Sequence, residues 1–125
     1  KFDFGVGGGL VPYTIYEADE KTPLPGPHYL VNFGPMKDCF LPEVSAKVEN
    51  LGPHYQTGEP LWSLNYLKDG DIAVSPAALE GADLWMCPYV KSRIFMSDRV
   101  VEALRIALSD SMFAAFMLSR CRVVG

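Results

Sequence analysis

The sequence has no run of about 18 apolar residues, which excludes a helix long enough to cross a bilayer; its apolar stretch Met112 to Leu118 is far too short. Cysteine is scarce and odd in number, and Cys39, Cys87 and Cys121 lie far apart in the chain. No pair has the C-x-x-C spacing of a structural zinc site, and the set does not read as a disulfide framework. Only His28 and His54 could supplement them, so no metal or cofactor site is expected. Arginine is absent before Arg93, and the net charge is −4. That balance disfavours nucleic acid as a partner, because phosphate binding needs clustered Lys and Arg. The opening KFDFGVGGGL is not a basic segment followed by an apolar run, so it is no secretory signal. A reducing, cytoplasmic setting is the simpler expectation. Because the chain opens on Lys1, some N-terminal residues are expected to be missing, and a removed segment directing the protein to the periplasm stays open.

What the sequence does contain is ordinary globular material. At 125 residues and 49% hydrophobic, it suits one domain over 1–125 with enough core to fold without metal or disulfide. Acid is unevenly spread: up to residue 60 there are four lysines against eight carboxylates, whereas the remainder is balanced. Such asymmetry can steer a basic protein partner onto the N-terminal half.

That half is heavily punctuated by Gly7 to Gly9, Pro23, Pro25, Pro27, Pro35, Pro42 and Pro53, a density that long helices do not survive. Short β-prone runs lie between the breaks, at Leu10 to Tyr16 and Tyr29 to Phe33. Val44, Val48 and Leu51 fall at helical spacing and predict a short helix within Glu43 to Leu51. The alternation over Leu61 to Tyr66 predicts a half-buried strand, Lys68 to Asp71 a turn, and Ile72 to Val74 the return strand. Ser75-Pro76 through Gly81 carries the signals of a compact helix, with Ser75 as N-cap and Pro76 at the first position. Ile94 to Met96 reads as a short buried strand. Ser97 and Asp98 then open the main helix, with Val100, Val101, Leu104 and Leu108 on its core face. Phe113 to Leu118 and Cys121 to Val124 are expected as closing strands, although Met112 to Leu118 could instead prolong the helix. The fold class expected is α+β, mostly antiparallel short strands with one main helix and one or two short ones.

Candidate chemistry is thin. Gly5-Val6-Gly7-Gly8-Gly9-Leu10 fails the dinucleotide pattern because Leu10 stands where the third glycine belongs, which leaves a flexible N-terminal segment as the expectation. Cys39 with His28 or His54 could form a thiolate nucleophile and base, the signature of a small hydrolase. Its bulky apolar neighbours Phe40 and Leu41 suit a buried structural thiol better. The two Gly-Pro-His-Tyr segments, 26–29 and 52–55, each read as a turn into a strand. Glu17, Asp19 and Glu20 form the densest acidic cluster, too polar for core. With Tyr13 and Tyr16 beside them, and Tyr29 close by, they are the candidate partner-binding loop, since hot spots need aromatic anchors.

From Leu61 to Val124 the sequence resembles the eleventh immunity-protein family of bacterial polymorphic toxin systems. The specific part is Asp83-Leu84-Trp85, followed by Phe95-Met96-Ser97-Asp98 ahead of a helix, between the tryptophan-bearing Pro60-Leu61-Trp62 and the closing Cys121-Arg122-Val123-Val124. The resemblance implies a non-enzymatic protein that neutralises a cognate toxin domain by binding it. An interaction module unrelated to toxins is the other non-enzymatic reading.

Overall fold

The computed structural model describes residues 2–32, 34–65 and 67–125. Phe33 and Tyr66, the expected last residues of two strands, lie outside them. The architecture is α+β: eight short strands form four two-stranded sheets, three antiparallel and one parallel, with one main helix and a shorter one.

The first sheet is a hairpin of β1 (Gly9–Tyr13) and β2 (His28–Asn32), in register Leu10↔Val31 and Tyr13↔His28. The second joins β3 (Val48–Pro53) to β4 (Pro60–Leu64), with an irregularity between Asn50 and Gly52. Gly52 takes φ +100°, and the Asn50 side chain accepts its N–H at 2.8 Å. A strand therefore replaces the helix expected over Glu43 to Leu51. Pro42–Val44 makes only one 3-10 turn, Lys47 adopts φ +57°, and from Val48 onward the chain is captured by pairing with β4. The helical spacing of Val44, Val48 and Leu51 was a coincidence of β-compatible residues.

The strand β5 (Ala73–Val74) lies at the centre of the core, with Ala73 fully buried. It does not return onto β4, whose outer edge is occupied by residues 89–91: Trp62 donates its N–H to Tyr89 and accepts from Lys91. Instead β5 runs parallel to β8 (Arg122–Val123) on one side. On the other, Leu41 donates to Ala73 and Ser75 to the Cys39 carbonyl. Burial on both faces explains its unbroken apolar run. The 3-10 helix Pro76–Leu79 comes next, and Ser75 contributes its backbone carbonyl to Ala78 N–H but no side-chain cap.

Further along, β6 (Leu84–Trp85) pairs with β7 (Phe95–Met96), setting Trp85 opposite Phe95 with stacked rings 5.9 Å apart. Ile94, expected to be buried, is 57% exposed. The helix α1 (Asp98–Ala107) starts where its sequence signals place it, with the Ser97 side chain accepting from Val100 N. Val100 is buried and Val101, Leu104 and Leu108 half-buried. Leu108 then turns extended and Ser109 caps a new helix, α2 (Asp110–Ala114). Phe113 to Leu118 is thus neither a strand nor a continuation of α1, because a second Ser-Asp cap restarts the helix.

One carboxylate ties the ends of this arrangement together. Asp83, 6% exposed, accepts from Asp3 N (2.7 Å), the Ser97 hydroxyl (2.6 Å) and the Arg99 guanidinium (2.7 Å). Its own N–H donates to the Asp3 carbonyl at 2.7 Å. The start of the chain is therefore moored rather than loose. Its glycines make a turn in which Gly8 donates to Gly5 O at 3.0 Å, and a Cβ at Gly8 would strike the Phe4 carbonyl.

Candidate partner-binding surface

The hairpin β1–β2 continues beyond its strands. Leu24 donates to Ile15 O (2.7 Å), Tyr16 bridges Pro23, and Glu17 donates to Thr22 O (2.8 Å). The acidic cluster is thus the tip of a long two-stranded arm. The turn is held by Asp19, which accepts from the backbone N–H groups of Lys21 and Thr22 at 2.8 Å each and from the Thr22 hydroxyl. The Thr22 hydroxyl, more than those N–H groups, holds the Asp19 carboxyl below its ordinary pKa. Glu20 sits at φ +62°. Among the described residues nothing engages the carboxylates of Glu17 and Glu20, and both side chains are exposed. Of the three acids singled out in the sequence, Asp19 shapes the tip and the other two supply free charge.

Tyr13 and Tyr16 are 55% and 52% exposed, as expected of anchors. The register sets Tyr13 opposite His28 and Tyr29 opposite Pro12, so Tyr13 and Tyr29 leave opposite faces of the hairpin. Sequence reasoning missed the aliphatic share of this surface. Leu10 and Val31 stand on one face and Val11 and Leu30 on the other, all between 45% and 57% exposed. The signal was there: both runs lack the polar alternation of a strand with one wet face. A shallow hollow of about 270 Å³ at the far end of the two strands is lined by residues 12–14 and 27–29. Neither tryptophan offers a competing anchor: Trp85 is 5% exposed, and Trp62 is half-buried edge-on against Phe40. A second exposed apolar cluster surrounds α2, with Met112, Phe116 and Met117.

The other residues singled out are separated from this arm and from one another. His54 lies just after β3 and caps a turn, its Nδ1 accepting from Gln56 N at 3.2 Å, while its ring stacks on Tyr55 and meets Tyr89 edge-on. The second Gly-Pro-His-Tyr segment thus leaves a strand, whereas the first enters one. Cys39 is 1% exposed, and its partner is neither histidine but Cys87, with the two sulfurs 3.5 Å apart. Contact with the Cys87 thiol, with lesser help from Trp85 and Lys37, holds the Cys39 thiol below its ordinary pKa against the opposing effect of burial.

No helix among the described residues is long and apolar enough to cross a membrane, and among them no group of three or more His, Cys, Asp or Glu side chains could hold a metal ion. No family model matches the chain, nor does any curated protein or solved structure.

Proposed function

We propose that this protein is a cytoplasmic immunity protein that binds and neutralises a cognate toxin domain with its β1–β2 arm, acting by occlusion and not by catalysis. The observation that carries the reading is the arm itself: apolar on both faces, tipped by unpartnered carboxylates, and covered by nothing in the fold. A two-stranded hairpin is marginal alone in water, and exposed apolar surface of this kind marks an interaction site. Scale supports it. The chain exposes 8838 Å², whereas a compact monomer of 13.8 kDa would expose about 6,600 Å². The excess of roughly 2,200 Å² on this one chain is more than the roughly 800 Å² that a standard interface buries on each partner. The likeness of residues 61–124 to the immunity family points the same way, and the acidic tip selects a basic protein partner over nucleic acid.

The test is co-expression with the toxin domain encoded beside the gene. Protection of the cell and a complex surviving gel filtration are expected. Charge reversal by Glu17→Lys with Glu20→Lys should slow association about tenfold at low salt and leave dissociation nearly unchanged, since exposed charges act on encounter. An unchanged association rate removes the arm tip as the docking surface, and failure of the neighbouring toxin to bind removes the immunity reading itself.

A further inference from the structure

Two nearly inaccessible thiols in contact, on segments 48 residues apart in sequence, are not needed by the partner-binding reading. Cys39 lies on the segment that leads from the arm into the core and is clamped from both sides. Ser75 donates to its carbonyl at 2.8 Å, and Lys37, two residues earlier, donates its N–H to Met86 O at 3.0 Å. Cys87 is the residue directly after Met86. The sulfurs at 3.5 Å need to close by only about 1.5 Å to reach bonding distance. The surroundings favour an anion at this spot. Lys37 Nζ lies 3.7 Å over the Trp85 ring. The indole Nε1 of Trp85 is buried without a hydrogen-bond partner of normal geometry among the described residues. Lys37 Nζ donates to the Ala78 carbonyl at 3.0 Å, and the group in contact with the Cys39 sulfur is the Cys87 thiol.

We propose that Cys39 and Cys87 are a redox modification site, closed to an intramolecular disulfide by a small hydroperoxide and reopened by dithiols. The Cys39 thiolate attacks the peroxide, an S–O bond forms, the O–O bond breaks, and the departing alkoxide or hydroxide takes up a proton. Cys87 then loses its proton and attacks the Cys39 sulfenic sulfur; the S–S bond forms and water leaves. Two thiols and one hydroperoxide become one disulfide, one alcohol (water, for hydrogen peroxide) and one water. The order of the two steps is set by the surroundings. Bonding to Cys39, burial and the Cys39 charge all hold the Cys87 proton on, and oxidising Cys39 removes that charge. At 1% and 2% exposure the pair admits a small oxidant far more readily than a bulky disulfide reagent. The bond would lock the arm's root to the β6 end of the core, independently of what the arm binds.

The experiment treats the reduced protein with one equivalent of hydrogen peroxide, then alkylates it in denaturant and weighs it. The expected product is 2 Da lighter before alkylation, retains one alkylatable thiol, Cys121, and yields a Cys39–Cys87 cross-linked peptide on digestion. Closing a loop of this length should raise the melting temperature by about 15 °C, reversed by dithiothreitol. Its formation rate should climb with pH below the range in which an ordinary thiol ionises, because Cys39 is held below its ordinary pKa. Cys121→Ser should leave the cross-link and the melting shift intact and remove the last alkylatable thiol, and Cys39→Ser should abolish the cross-link. Three alkylatable thiols after treatment, a gain of 16 or 32 Da without cross-linking, or a disulfide through Cys121 would each overturn the proposal. The wild-type protein alone decides between these outcomes, whether or not the variants fold.

Discussion

Asparagine at position 83 should weaken this protein more than any other isosteric change at a polar residue. The Asp83 side chain is 8% exposed and receives donors from three directions, from Asp3 N, Ser97 Oγ and Arg99. Asparagine keeps one acceptor oxygen and turns an NH₂ group toward a donor that the second oxygen had satisfied. A part-buried donor left unmatched costs about 1–3 kcal/mol. The guanidinium of Arg99 is 60% exposed and returns to water, so its share is not added, and about 2 kcal/mol is expected. For 125 residues, an unfolding entropy of about 0.26 kcal/mol/K converts this to a fall of roughly 8 °C in melting temperature. The pH dependence has a definite sign. Arg99 first, then Ser97 and the Asp3 N–H, hold the folded carboxyl well below the usual carboxylate range. The stabilisation is therefore complete above the unfolded-chain value of about 3.9 and drains away as pH falls below it. Melting curves of wild type and Asp83→Asn should lie a constant distance apart from pH 5 to 8 and converge below about pH 4. A gap under 2 °C at pH 7, or one undiminished at pH 2.5, would refute the role given to this carboxylate.

Leu104→Ala removes a side chain that is half-buried, not buried, so about 1–2 kcal/mol should be lost rather than the 2–5 of a core leucine. Ile106→Ala on the exposed face should stay within about 0.5 kcal/mol; equal shifts in urea midpoint would show the helix face to be misassigned. If protection rests on binding, well-folded Cys39→Ala and His54→Ala variants, both changed outside the arm, should each still protect cells from the toxin. Loss of protection in a Cys39→Ala protein that still binds would restore the hydrolase reading.

Local chemistry was readable where it decides structure by itself. The Ser97-Asp98 start of α1 and the Lys68 to Asp71 turn are consequences of capping and of turn residues, and each is present. What failed needed knowledge of partners distant in the chain. Nothing near Ile72 says that its strand will pair with residues 122–123 in parallel, because the edge of β4 is taken by residues 89–91. The helical spacing in 43–51 lost to strand pairing for the same reason. At the candidate site, composition located the acidic tip and its tyrosines, but not that Asp19 is spent on the turn. Nor did the sequence bring Cys39 to Cys87, since a separation of 48 positions in the chain carries no trace of a 3.5 Å contact.

The division of labour within the chain is set by where burial falls. Every fully buried hydrophobic residue lies between Cys39 and Val100, and none lies in the arm. The arm's order therefore comes from its own cross-strand pairs and from the moorings at its two ends, Asp3 on Asp83 before it and the clamped segment 35–41 after it. A surface held this way can stay apolar on both faces, because the core does not need those side chains for stability. The same separation predicts how substitutions sort. Changes at Leu10, Val11, Leu30 or Val31 should leave the unfolding midpoint nearly fixed while weakening a partner's hold, whereas changes around Trp85 and Asp83 should do the reverse. Both faces of the hairpin have to be covered for that apolar area to be withdrawn from water, so the binding function proposed above requires a cleft that receives the arm and not a flat surface that touches one side.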